Sequence, residues 1–206
     1  MPDRHFPVRP NLRQLKRQAK NLLRGVRSGD PEAVGDLRRN HPEALDPAHA
    51  ILADAQLALA RSYGIASWPR LVLACELIDA IWRDDVATVT RMVVKHPALL
   101  HEDARAVKGN WGPPMSYAAN LGRDRIIRAL RDLGAEDVQF AFDRACLQGE
   151  LETARLLHSM GARPVRDSVM GPCETQNPEG LAFLLDLGAE LSDDHGDHMA
   201  PAAMLL

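Results

Sequence analysis

The densest set of side chains able to hold a metal ion is Asp193-Asp194-His195-Gly196-Asp197-His198. Carboxylate oxygens and imidazole nitrogens at this spacing are donors for divalent cations. Asp and Gly also crowd into loops for their turn geometry, and Asp197 stands where a helix cap would be needed. No second ligand cluster supports a metal, so the segment reads as a loop and no cofactor is expected. Cys146 and Cys173 sit at equivalent places in two similar segments. Brought together they would offer redox or nucleophilic thiol chemistry. No His accompanies either in register, so they read instead as small apolar side chains at helix-packing positions. His41 and His96 each precede a proline at the end of an apolar helical pattern, and His158 falls in the last turn of another. Imidazoles at such places interact with the helix dipole. The chain carries no Gly-rich phosphate loop, no nucleophile elbow and no paired acids in a pocket-forming context, so catalysis is not expected.

Charge is unevenly spread. Residues 1–28 hold eight Lys and Arg against Asp3 alone, residues 167–206 hold eight acids and no Lys or Arg, and the whole chain carries −3. A basic amphipathic helix is a candidate for nucleic acid or an anionic membrane surface. Here aromatic residues do not interleave with the cations, Phe6 alone being near, and the apolar stripe is of a size to pack on the rest of the chain. The cations therefore read as a solvated face, with nucleic acid and membrane not the expected partners.

These residues must be positioned by a fold, and 206 residues with 46% apolar and 26% charged side chains suffice for one large domain or two small ones. The three cysteines make no disulfide framework and suit a reducing compartment. The first residues lack the apolar run of a signal peptide, and Leu71 to Ile78 is broken by Glu76. A cytoplasmic location is expected.

The elements all read as helices. Leu12, Leu15, Ala19, Leu22 and Val26 recur at steps of three and four, with Asn11 as N-cap, which predicts a helix over Asn11–Arg27. Asp30 and Pro31 open a second helix to about Arg39. A third should run from about Pro47 to Tyr63 and close on Gly64, and Ser67 should cap a fourth towards Trp82.

Beyond residue 80 the chain repeats. Leu133-Gly134-Ala135, Met160-Gly161-Ala162 and Leu187-Gly188-Ala189 recur at intervals of 27 residues. Each follows a short aliphatic helix pattern, and twelve residues before each closing Gly stands Gly122, Gly149 or Gln176. Further upstream lie the small pairs Ala118-Ala119, Ala145-Cys146 and Pro172-Cys173. Such a unit is two helices joined by a tight turn. It cannot bury its own apolar faces, so units must stack. Weaker copies cover Leu77–Pro97 and Leu22–Pro42, and a further one opens at Asp197 and stops at Leu206. An apolar end left open there points to a natural chain that continues, or to a homodimer formed through the open C-terminal repeat.

Gly112-Pro113-Pro114-Met115-Ser116-Tyr117-Ala118-Ala119-Asn120-Leu121-Gly122, followed by Ile126-Ile127 and Leu133-Gly134-Ala135, resembles an ankyrin repeat. Pro114 matches the Pro that opens the first helix in that family, Met115 takes its Leu place, and Ser116 replaces its His. The first 70 residues are similar to a helical leader seen on bacterial ankyrin-repeat proteins. The resemblance implies an all-α fold: a helical N-terminal leader or cap over 1–70, then an ankyrin-like repeat solenoid over 71–206. The solenoid would hold about four repeats plus an incomplete fifth from 197, with short inter-repeat loops and a longer loop over Leu99–Trp111. It further implies a non-enzymatic scaffold that binds a protein partner on a concave face. By alignment, the positions offered to that partner are Asn110, Trp111, Gly112, Asn120, Leu121, Gln139, Leu147, Gln148, Glu174 and Thr175. Arg144 and Tyr117 are secondary candidates. Trp111 is either an anchor for the partner or a plug between repeats. The alternative is an enzyme, or an accessory subunit of one, with a small-molecule site between leader and repeats, for which Tyr63, Trp68, Trp82 and Asp84 are the suspects.

Overall fold

The computed structural model describes residues 4–191, and every regular element among them is helical. The metal-like segment 193–198 and the repeat expected to open at Asp197 lie outside the described residues. The chain divides into two compact units, Met1–Asp79 with Arg105–Lys108, and Ala80–Ala104 with Gly109–Leu206.

In the first unit, α1 (Leu12–Arg27) starts where the Asn11 side chain accepts the Gln14 amide, and α2 (Pro31–Asn40) starts where Asp30 accepts that of Ala33. Each such cap contributes about 1 kcal/mol. The expected third helix is instead a 3-10 turn (Pro47–His49) and α3 (Leu52–Ser62), parted at Ala50 and Ile51. The break has a visible cause. The Ala50 carbonyl accepts both Nε and Nη2 of Arg27, at 3.2 and 3.0 Å, and the Asp54 carboxylate accepts the Ile51 amide at 2.8 Å, capping a fresh helix. Gly64 then takes a left-handed φ, and Ser67 Oγ accepts the Arg70 amide at the start of α4 (Trp68–Trp82). The expected junction at residue 70 falls inside this helix.

The core of this unit gathers Phe6, Leu15, Ala19, Leu59, Ala60, Tyr63, Ile65, Leu71 and Cys75. Phe6 and Tyr63 meet edge to face with ring centroids 5.5 Å apart. Burying each large apolar side chain contributes about 1.5–3 kcal/mol, so this cluster outweighs the caps in holding the helices together. A second cluster joins Val26, Leu37, Ala50 and Ala58. The segment Arg105–Lys108 packs Ala106 and Val107 on the first cluster, and the Arg105 guanidinium donates to the Phe6 carbonyl. Part of the expected 99–111 loop therefore serves as a strap on this unit.

The second unit begins with the end of α4 and α5 (Val86–Lys95). A 3-10 turn (Pro97–Leu100) follows, then, among the described residues, three helical hairpins. These pair α6 (Pro114–Ala119) with α7 (Asp124–Asp132), α8 (Val138–Gln148) with α9 (Leu151–Ser159), and α10 (Met170–Glu174) with α11 (Pro178–Asp186). Consecutive hairpins touch: α6 and α10 both pack on α8, and α11 packs on α8 and α9. The second helices bury aliphatic rows, Ile126, Ile127 and Leu130, then Ala154, Leu156 and Leu157, then Leu181 and Leu184.

The repeat in sequence is also a repeat in backbone bonding. At the turn inside each hairpin, Arg123, Glu150 and Asn177 donate their amides five residues back, to Ala118, Ala145 and Pro172, at 3.1, 2.9 and 2.8 Å. Asp85 to Ala80 (2.9 Å) and Asp30 to Gly25 (3.0 Å) form the same bond, one in each weaker copy. The residue just before each donor is left-handed: Gly29, Asp84, Gly122, Gly149 and Gln176. Gln176, at φ 52°, fills this place without the freedom of glycine. At the closing Gly-Ala, Ala135, Ala162 and Ala189 donate to Leu130, Leu157 and Leu184 at 3.0, 3.2 and 2.9 Å. Only two residues, Glu136 and Asp137, then precede α8, so the connection is short, as the 27-residue spacing requires.

Candidate protein-binding surface

The expected partner positions fall into three groups. Asn110, Gln148, Glu174 and Thr175 are exposed. Trp111, Leu121, Gln139 and Leu147 are half-buried. Gly112 and Asn120 are buried and are corrected to structural residues.

Each burial has a specific cause. The Gly112 carbonyl accepts the Ala104 amide at 3.0 Å, and the Phe140 ring lies where a Gly112 side chain would project. Asn120 Nδ2 donates to the Ser116 carbonyl at 2.7 Å, while its Oδ1 accepts Arg144 Nε at 2.8 Å and Gln148 Nε2 at 3.4 Å. Asn120 is thus a polar rivet between α6 and α8. Arg144, one of the secondary candidates, is buried with it, and burial lowers the guanidinium pKa from its usual value. Tyr117, the other, is fully buried and its hydroxyl accepts Trp82 Nε1 at 2.9 Å. Trp111 lies over Tyr117 with ring centroids 4.8 Å apart. One face of Trp111 is therefore committed to packing, and its remaining surface is what a partner can reach.

The expected positions form rows. Asn120 (buried), Leu147 and Glu174 recur at 27-residue intervals, as do Leu121, Gln148 and Thr175, and each pair stands directly before the left-handed residue of its hairpin turn. A groove of about 430 Å³ lies along the turns of the α8–α9 and α10–α11 hairpins, lined by Leu147, Gln148, Thr175 and Gln176 among others. Thr175 Oγ1 is held by bonds to Leu147 and Gly171 carbonyls at 3.2 and 3.0 Å, which fixes its methyl and hydroxyl in place. Gln139 is committed differently. Its amide clasps the Arg163 backbone, donating to the carbonyl at 2.8 Å and accepting the N–H at 3.1 Å.

The links between hairpins were not legible as such. Asp137 accepts the Ser116 amide (3.0 Å) and hydroxyl at the start of α6. Thr153 donates to Asp124 at 2.6 Å, and Asn177 Nδ2 reaches the Cys146 and Leu147 carbonyls at 3.3 and 3.2 Å. Each of these residues is polar and next to a turn, which is also the signature of ordinary loop residues.

Asp143 accepts Ser168 Oγ at 2.6 Å and Gln139 Nε2 at 3.3 Å. Burial pushes its carboxyl above the usual carboxylate range, outweighing the two donors that lower it, and the charge of Asp167 adds to the rise. The folded state therefore holds this proton more tightly than the unfolded chain does. The contribution of Asp143 to stability should rise as pH falls from the raised folded value to the ordinary value of about 3.9, and stay constant below it. Urea midpoints measured at stepped pH should show this component in the native sequence and lack it in Asp143→Asn. An unchanged pH profile in the variant would refute it.

The three thiols are all buried. Burial pushes Cys75 and Cys146 up to about 12, helped by the charges of Glu76 and Asp143, and it raises Cys173 as well. The thiolate is the reactive species. None of the three should react with an aromatic disulfide reagent at neutral pH until the protein is unfolded, and one fast-reacting thiol in the native state would contradict this.

The suspects for an enzymatic site have packing or bonding roles. Tyr63 and Trp68 belong to the first unit's core, with the Tyr63 hydroxyl 3.2 Å from Gln18. In the second unit the Trp82 carbonyl accepts Arg123 Nη2 at 3.1 Å, and Asp84 Oδ2 lies 3.7 Å from Arg125. Among the described residues no group of three or more His, Cys, Asp or Glu is placed to hold a metal ion, and no helix is long and apolar enough to cross a membrane. Compared with known proteins, the chain matches no protein-family model and no curated protein.

Proposed function

We propose that the protein is a non-enzymatic scaffold of ankyrin-like repeats that binds a protein partner on the side formed by the first helices and hairpin turns of its second unit. One observation carries this reading. The same backbone device recurs at 27-residue intervals, and the side chains just before it differ from copy to copy: Leu121, Gln148 and Thr175 in one row, Leu147 and Glu174 in the other. A constant frame whose varied side chains are half-buried (Leu121, Leu147) or exposed (Gln148, Glu174, Thr175) suits recognition by a stack of repeats. Trp111, half-buried on Tyr117, is the rigid aromatic of this surface.

The test is affinity capture with the full-length chain, compared with Trp111→Ala and with the double variant Gln148→Arg/Glu174→Arg. Both sites of the double variant are exposed, so its fold should be retained. A specific partner lost with the double variant and weakened with Trp111→Ala supports the assignment. A partner retained by both variants places recognition elsewhere.

A further inference from the structure

On α1 the basic residues are Arg13, Lys16, Arg17, Lys20, Arg24 and Arg27, all exposed, and the helix has no acid. At 3.6 residues per turn they fall within an arc of about 100° and recur once per turn over about 21 Å. The opposite side carries Leu15, Ala19 and Val26, which are buried in the two core clusters. Among the described residues no ion pair reaches Arg13, Lys16, Arg17, Lys20 or Arg24, and Arg27 spends part of its guanidinium on the Ala50 carbonyl. Such a stripe of like charges on one face is a net self-repulsion, and an anionic partner relieves it.

From this geometry we infer that the outer face of α1 docks an acidic amphipathic helix of a protein partner. The cations are spaced one per helical turn, which is the spacing at which carboxylates recur along one face of another α-helix. The apolar side of α1 is used up in its own core, so the helix has no free face to insert into a lipid surface. No aromatic residue stands on α1 to stack a base. A long polyanion would also have to approach a molecule whose overall charge is −3, with the first unit at +5 and the second at −8. A short acidic helix meets only the local field of the stripe, because charges beyond about 8–10 Å are screened at physiological salt. This docking face belongs to the first unit and stands independently of the partner surface proposed for the second.

The experiment measures binding of the full-length chain to a labelled alanine-rich peptide of about five helical turns with glutamates along one face. The comparators are a peptide of the same composition with glutamates distributed around the helix, and a DNA duplex of similar length. The one-faced peptide is expected to bind best, and its affinity should fall several-fold between about 50 mM and about 200 mM salt. Lys16→Gln/Lys20→Gln/Arg24→Gln should weaken it about tenfold with the thermal midpoint unchanged or slightly raised, since two like-charge i, i+4 pairs are removed, and Lys20→Glu alone should weaken it several-fold. No binding of the one-faced peptide, equal binding of the distributed peptide, indifference to the substitutions, or tighter binding of the duplex would each overturn the proposal.

Discussion

Gly180→Ala should detach the α10–α11 hairpin before the rest of the chain melts. Gly180 lies in the first turn of α11 and is buried against α8, where a Cβ would overlap the Cys146 carbonyl oxygen and crowd the Asn177 side chain. The obstacle is backbone, which cannot rotate out of the way as a side chain can. The helix must withdraw. Withdrawal also stretches the bonds from Asn177 Nδ2 to the Cys146 and Leu147 carbonyls, so the cap that starts α11 weakens together with the packing. Alanine returns about 1 kcal/mol of helix propensity, which the overlap exceeds. The expected net loss is about 2–4 kcal/mol. Because consecutive hairpins of the second unit pack on one another, this loss should appear as local opening over residues 163–191. Hydrogen exchange should lose protection there while α1 and α7 keep theirs. Glu179→Ala, at the neighbouring exposed position, should change little. Uniform loss of protection through both units, or a variant as stable as the native chain, would refute the argument.

The contrast between Gly180 and the other repeat positions shows what the amino-acid sequence could disclose. Gly122 and Gly149 announced a tight turn because glycine is the residue that takes a left-handed φ without strain. Their third counterpart, Gln176, has the same conformation, and only the 27-residue register pointed to it. Asn11, Asp30 and Ser67 were legible as caps since capping is local chemistry. The break at Ala50 was not legible, as it depends on Arg27 arriving from 23 residues away. The candidate surface divides along the same line. Register alone locates Gln148 and Thr175 beside a turn. Whether a neighbouring helix covers the side chain at an equivalent position depends on packing, and that is why Asn120 and Gly112 are buried where the repeat pattern had offered them to a partner. The stripe on α1 was readable as charge and periodicity, but that no carboxylate among the described residues pairs with Arg13, Lys16, Arg17, Lys20 or Arg24 became visible only once those carboxylates had places.

Asn120→Ala should cost about 2–4 kcal/mol, more than the loss of one hydrogen bond, since it strands a buried cation. Arg144 is only 7% exposed, and its Nε donates to Asn120 Oδ1 at 2.8 Å. Burial lowers its pKa, yet a guanidinium stays charged at neutral pH, so the charge must be solvated by what surrounds it. Alanine at 120 removes that acceptor and also frees the Ser116 carbonyl, which Asn120 Nδ2 holds at 2.7 Å. Arg144→Met takes away the charge that needs the acceptor and keeps much of the side-chain volume. Its own cost should be near 1 kcal/mol, and the double variant Asn120→Ala/Arg144→Met should be more stable than the sum of the two losses, with a coupling of about 1–2 kcal/mol. Urea denaturation of the four proteins in the cycle measures this directly. If the two substitutions simply add, the Asn120–Arg144 bond is incidental to the packing of α6 on α8, and the apolar rows hold these hairpins together unaided. If they couple as expected, the pair fixes the register of one hairpin on the next, because the acceptor must come to rest opposite the guanidinium whatever slippage the small residues Ala118, Ala119 and Ala145 would tolerate.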